Sequence, residues 1–184
     1  MAFDGIMIHS ILHELKDKLL GGRIDKVYQP ESDEIILSIR SLGNAYKLLL
    51  TANPSHPRLH LTAASRENPL EPPLFCMVLR KHIQGGKIIE ISQPGFDRIV
   101  HIKIEGLNEM GDYSVKTLIL EVMGRHSNLM LVDENNMILE CARHVSFDKS
   151  SVRQVLPGKE YTAPPGGSKT DTLTLNDENF AAAL

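Results

Sequence analysis

The sequence predicts an α+β fold: a two-sheet β-sandwich with flanking helices, built from an internal pseudo-repeat. Three observations carry this. GGRIDKVYQPESDEIILSIR (21–40) returns as GGKIIEISQPGFDRIVHIKI (85–104). Aligned without a gap, seven positions are identical, among them Gly21/Gly85, Ile24/Ile88, Gln29/Gln93, Asp33/Asp97 and Ile35/Ile99. LLLTANPSHPRLHL (48–61) then lines up with LILEVMGRHSNLML (118–131). The chain reads as two degenerate copies of one unit, about 4–62 and 73–143, each passing from helical to strand periodicity.

In the first unit Ile8, Ile11, Leu12, Leu15 and Leu19 form one apolar stripe at helical spacing. Asp4 suits the N-cap, and Gly21-Gly22 the stop. The second helix is expected to begin after Pro72-Pro73 and run to Gly85-Gly86, with Leu74, Val78 and Ile83 packing inward. Arg80, Lys81 and His82 crowd its last turn, where cations suit the negative helix end. Strand alternation follows at Ile35, Leu37 and Ile39, at Tyr46, Leu48 and Leu50, at Val100, Ile102 and Ile104, and at Leu118, Leu120 and Val122. Residues 128–132 and 137–143 read as a hairpin across Asp133-Glu134-Asn135-Asn136. About four strands per unit result, and two four-stranded sheets would bury their apolar faces together. APPGGSK (163–169) is a linker by composition, assigned to 163–170. Residues 171–184 read as the truncated start of a further helix, with Thr174 or Asn176 as its cap.

The net charge of −3 and isoelectric point near 6.2 exclude a protein that coats nucleic acid by bulk charge, but not a local basic site. No apolar run approaches a membrane span. The N-terminus shows no secretory leader, so the expected location is cytoplasmic. Two lone cysteines, Cys76 and Cys141, make no disulfide framework and are expected to pack as buried thiols. The eight histidines show no ligand spacing with the cysteines, and no metal or cofactor is expected. No serine elbow, Walker loop or dinucleotide fingerprint is present.

The differences between the copies point to a site. In the gapless alignment Glu34 becomes Arg98, and Ser55 becomes Arg125. Asp97-Arg98 starts a strand after the turn Gln93-Pro94-Gly95-Phe96. The pair reads either as a structural ion pair or as a site, with Arg98 a forked donor to phosphate or a base edge and Asp97 orienting it. Gly124 suits a tight bend, after which Arg125, His126, Ser127 and Asn128 offer a compact donor set. These four either satisfy the turn itself or contact ribose and phosphate. Asp33 and His56 stand at the places of Asp97 and His126, which favours structural roles there. Arg98 and Arg125 have no such counterpart.

MAFDGIMIHSILHEL, ENPLEPPLFCMVLRKHIQGG, QPGFDRI and EVMGRHSNLMLVD appear in one order across residues 1 to about 165. In these segments the chain resembles the N-terminal domain of the NFACT family, which takes in the bacterial FbpA or RqcH proteins and the eukaryotic NEMF. The resemblance implies a domain at 1–162 similar to the N-terminal domain of formamidopyrimidine-DNA glycosylases, followed by a helix-hairpin-helix region. It implies binding to a large ribosomal subunit obstructed by peptidyl-tRNA, and tRNA recruitment for alanine tailing of the stalled chain. It marks Asp97-Arg98 and the run from Gly124 to Asn128 as the residues tied to RNA. It also brings an alternative, a fibronectin-binding surface adhesin reached by non-classical export. Met1-Ala2-Phe3-Asp4 lacks the proline amine of the glycosylases, so a binding module and not an enzyme is expected.

Overall fold

The computed structural model describes residues 3–165. It holds two helices, α1 (Gly5–Leu19) and α2 (Leu74–Ile83). The strands are β1 (Arg23–Glu31), β2 (Glu34–Ser41), β3 (Asn44–Thr51), β4 (Arg58–Leu61), β5 (Lys87–Ser92), β6 (Ile99–Leu107), β7 (Tyr113–Glu121), β8 (Asn128–Val132) and β9 (Ile138–Cys141). The expected elements at 171–184, with the Thr174 or Asn176 cap, and most of the 163–170 linker lie outside the described residues. No helix among the described residues is long and apolar enough to cross a membrane.

α1 forms as its stripe predicts. Asp4 caps it, its Oδ1 accepting from the Met7 N–H at 2.9 Å, and Ile8, Leu12, Leu15 and Leu19 are buried. α2 begins directly after Pro73, but its buried face is Phe75, Cys76, Leu79 and Ile83. The expectation for Leu74 is corrected: it is exposed. The stripe that meets the sheet repeats from Phe75 through Leu79 to Ile83, and Leu74 falls one residue off that phase.

The strands form one antiparallel sheet in the order β4-β3-β2-β1-β5-β6-β7-β8-β9, which corrects the expectation of two separate sheets. The physical reason is a seam between the Gly-Gly corners. The Gly21 N–H donates to Ile88 O (2.8 Å) and the Gly85 N–H to Ile24 O (2.7 Å). The Ile24 N–H donates to Gly86 O (2.9 Å) and the Ile88 N–H to Gly22 O (2.8 Å). Each pair of bonds repeats the other under exchange of the two units. The corners leave no room for side chains. A Cβ on Gly22 would lie 2.9 Å from Ile39 Cγ2, and one on Gly86 2.6 Å from Ile104 Cγ2. One core spans both units, from Leu37 and Leu48 to Ile102 and Leu118. Each helix packs on the leading strand of the other unit, α1 on β5 and α2 on β1.

The ladders also correct the alignment of the copies. Ile35 pairs with Leu50, whereas Val100 pairs with Leu120. Gln29 Nε2 donates to Ser32 O (3.0 Å) and Gln93 Nε2 to Asp97 O (2.7 Å). The Ala52 N–H donates to Asp33 O and the Val122 N–H to Arg98 O, both at 2.8 Å. The second unit therefore carries one extra residue in the turn after Gln93-Pro94. Asp97 corresponds to Ser32, Arg98 to Asp33 and Ile99 to Glu34. The gapless matches of Asp33 with Asp97 and of Ile35 with Ile99 are coincidences. A turn absorbs an inserted residue, whereas a slip within the strand would turn every side chain to the wrong face.

After β9 the chain crosses the outer face of the second unit. Val145 and Val155 exchange backbone bonds at 2.9 and 2.8 Å, and the Tyr161 N–H donates to Asn136 O at 2.8 Å. Val155 and Tyr161 close a second core over Ile99, Ile119, Met130 and Cys141.

Candidate nucleic-acid interface

Arg98 and Arg125 open on one cleft of about 480 Å³. Two turns and the crossing segment build it. The turn before β6 ends on Arg98. The single 3-10 turn Gly124–His126 carries Arg125 and His126, entered through Gly124 at φ 54°, a left-handed bend that favours glycine. The segment after β9 adds Arg143, Lys149 and Arg153. Among the described residues five cationic side chains thus line the cleft, and no carboxylate does.

The side chains differ in what holds them. Arg98 and Arg125 are exposed, and among the described residues neither pairs with a carboxylate. Arg125 Nε donates to His126 Nε2 at 3.1 Å. Arg143 Nη1 donates to Arg125 O at 2.8 Å, fixing the turn from behind. Arg153 is committed inward. Its Nη2 bonds both oxygens of Glu121, and its Nη1 bonds Thr162 O. Glu121 is fully buried. Burial pushes its carboxyl up, and the Arg153 guanidinium opposes this. Arg153 also lies 6.0 Å from the Tyr161 ring centre.

The six sequence-predicted residues separate into two groups. Arg98, Arg125 and His126 present side chains at the cleft surface. Ser127 and Asn128 line its floor but are buried, at 0% and 2% exposure. Ser127 Oγ accepts from the Met123 N–H at 2.9 Å. Asn128 Nδ2 donates to Arg143 O (2.9 Å), and its Oδ1 accepts from the N–H of Arg143 (3.1 Å). Both therefore shape the turn. Asp97 does not line the cleft. Its Oδ1 accepts from the Arg98 N–H at 2.8 Å, and its turn is tied to α1 through Gln93 Nε2, which also bonds Gly5 O at 3.1 Å. It orients the backbone of Arg98.

Sequence reasoning missed Arg143, Lys149 and Arg153. A signal was present: residues 143–153 hold these three cations and one acid, Asp148.

Among the described residues one group of three metal-capable side chains comes together, Glu140, Cys141 and His144. Its atoms are already engaged. Glu140 Oε1 accepts from the Cys141 N–H (3.0 Å) and pairs with His144. Burial pushes the Cys141 thiol up to about 12, and the thiol donates to Val155 O at 3.6 Å. That chemistry fits a packed thiol and not a thiolate ligand.

A pseudo-symmetric helix-and-sheet domain with a cationic cleft on one copy is the class that fold and site define. Residues 4–184 match the family model for NFACT N-terminal and middle domains, and the chain belongs to that family. It is 47% identical over 185 residues to the Rqc2 homolog RqcH of Bacillus subtilis, covering 100% of this chain and 32% of that protein. It is 28% identical over 151 residues to the ribosome quality control complex subunit NEMF of Homo sapiens, covering 82% and 13%. The solved N-terminal domain of fibronectin-binding protein PavA from Streptococcus pneumoniae superimposes with a TM-score of 0.93 at 45% identity, covering 98% of this chain and 68% of that one. The chain spans about a third of the length of the bacterial relatives it matches.

Proposed function

We propose that this domain is the tRNA- and large-ribosomal-subunit-binding module of a ribosome quality-control factor. In this reading it recruits tRNA for alanine tailing of the nascent chain on a large subunit obstructed by peptidyl-tRNA. The observation that carries it is the convergence of Arg98 and Arg125 on one cleft where, among the described residues, no carboxylate lines the wall and neither arginine has a carboxylate partner. Guanidinium forks of this kind suit phosphate oxygens, and the relatives named for ribosome quality control supply the context. Arg98, Arg125, His126 and Lys149 make the contacts. Asp97, Ser127, Asn128 and Arg143 hold the two turns in place. The domain binds and does no chemistry of its own.

The test is tRNA affinity measured against salt for the unaltered chain and for Arg98→Ala and Arg125→Ala. Each variant is expected to bind more weakly and to lower the salt slope by about one unit. Folded variants with unchanged affinity and slope would remove the cleft from the interface.

A second reading rests on the names of solved relatives, which include fibronectin-binding PavA. In it the same domain contacts fibronectin on the cell surface. Detection on intact cells, with a cytosolic marker as the control for lysis, separates the two; absence from the surface sinks the adhesin.

A further inference from the structure

The far end of the β6–β7 hairpin holds a second cationic pocket. β6 starts beside Arg98 and runs to Leu107, so at roughly 3.3 Å per residue the two ends lie about 26 Å apart. There a cavity of about 330 Å³ opens between the last turn of α2 and the hairpin tip, lined by Lys81, His82, Asn108, Glu109, Ser114 and Lys116 among others.

Lys116 is the unusual member. It is only 9% exposed. Its Nζ donates to one neutral group, Ser114 Oγ, at 2.7 Å, and among the described residues no carboxylate pairs with it. Lysine is rarely buried unless paired, because its charge loses hydration without compensation. The fold does not demand a cation there. Lys116 pairs with Ile104 as Tyr46 pairs with Ile39 in the first unit, and Tyr46 packs against the core. Among the described residues the pocket's one acid serves the other lysine: Glu109 Oε1 accepts from Lys81 Nζ at 2.7 Å, and both side chains are mostly exposed. His82 feels all three. Burial, then the charges of Lys116 and Lys81, hold its imidazole below the usual histidine range, and Glu109 opposes them.

We propose that this pocket is a second anion site, in which Lys116, Lys81 and His82 take one phosphate group, with Glu109 as the internal anion that gives way to it. The phosphate comes from an RNA backbone or from a free phosphate ester. Three nitrogen donors lining one cavity suit a tetrahedral oxyanion, and the buried ammonium gains the countercharge the protein withholds.

The probe is inorganic phosphate, titrated into the 184-residue chain at constant ionic strength with chloride as the balancing ion. The readout is the NMR signal of the His82 ring. The signal is expected to saturate and the His82 pKa to rise, because a bound anion favours the imidazolium. Glu109→Gln should tighten phosphate about threefold by removing the exposed competitor. Lys116→Met should weaken it by about tenfold or more. A His82 response equal for phosphate and chloride, or unchanged in folded Lys116→Met, overturns the site. Should Lys116→Met fail to fold, Lys81→Gln takes its place, and an unchanged phosphate affinity there counts against the proposal equally. A short oligouridylate separates the sources: a His82 response to it at lower concentration than to phosphate assigns the site to RNA, and a response to phosphate alone assigns it to a free ester. Arg98→Ala should leave the His82 response intact, so failure here and failure of the tRNA reading are distinguishable.

Discussion

Arg98 and Asp33 occupy equivalent backbone positions with opposite charge. Each accepts at 2.8 Å from the N–H just beyond the paired strand, Val122 for Arg98 and Ala52 for Asp33. Position alone therefore does not call for a guanidinium. Arg98→Asp gives the second unit the residue its twin already carries. The variant should unfold within about 0.5 kcal/mol of the unaltered chain, as exposed substitutions usually do. Its tRNA affinity should nevertheless fall further than that of Arg98→Ala, because an acid repels phosphate. Urea unfolding and a binding titration on the same samples check both halves.

Asn128 and Arg125 are close in sequence but should fail differently. Asn128→Ala leaves the N–H and the carbonyl of Arg143 without their partner, at a cost of about 1–3 kcal/mol per unsatisfied group. Arg125→Ala removes an exposed side chain and should cost little stability. Denaturation midpoints of the two variants, set beside tRNA binding, separate a turn-forming residue from a contact residue.

The Arg153–Glu121 pair is buried, so breaking it is expensive. Arg153→Met strands a carboxylate that is fully enclosed and should cost roughly 3–5 kcal/mol at neutral pH. The sign of the pH dependence follows from the direction of the shift. The Glu121 carboxyl is already held above its ordinary value of 4.5, and losing Arg153 raises it further. A raised carboxyl contributes stability at low pH that is lost as pH climbs from the unfolded value through the folded one. The deficit of Arg153→Met should therefore shrink on going from pH 7 to pH 4.5, read by urea melts at both. A deficit independent of pH would place the cost elsewhere.

His101 gives the opposite slope. Burial, then the charge of Lys103, hold its imidazole below the ordinary 6.5, with Glu90 opposing. The unfolded chain then binds the proton first. Stability should fall as pH drops from 6.5 toward the depressed folded value. His101→Gln should flatten that part of the curve, measured as unfolding midpoints between pH 5 and pH 7.5.

At the seam, Gly86→Ala puts a methyl group 2.6 Å from Ile104 Cγ2 and 3.0 Å from Ile83 O. Overpacking of this kind costs about 1–3 kcal/mol. Gly22→Ala, where the nearest atoms are at 2.9 Å, should cost less. Thermal melts of the two variants rank them; equal loss would show that the corner relaxes.

Periodicity made much of this fold legible. The α1 stripe, the alternation through Ile35–Ile39 and Val100–Ile104, and the turn at 133–136 all report local spacing, and all are present. Arg98 and Arg125 were legible as differences between the copies, but their opening on one cleft was not, because it depends on how two separate turns meet. What local spacing could not show were partners far along the chain. Arg153 meets Glu121 across 32 residues, and the crossing segment 143–162 has no period because isolated bridges and two buried side chains, Val155 and Tyr161, hold it. The inserted residue before Arg98 was hidden because two chance identities, Asp33/Asp97 and Ile35/Ile99, rewarded the gapless match. Sequence left Ser127 and Asn128 open between turn-formers and RNA contacts, because a polar turn and a buried polar clasp share one composition.

The crossed packing, α1 on β5 and α2 on β1, makes the two copies interdependent. A lone copy would keep part of its helix seat, α1 on β2 and β4 or α2 on β6 and β9, but would lose the helix that covers its leading strand, and a second copy of itself would restore it. The chain is in effect a dimer whose subunits share one polypeptide. Sharing one polypeptide leaves the two subunits unlike: the cationic cleft belongs to the second and to the segment that follows it.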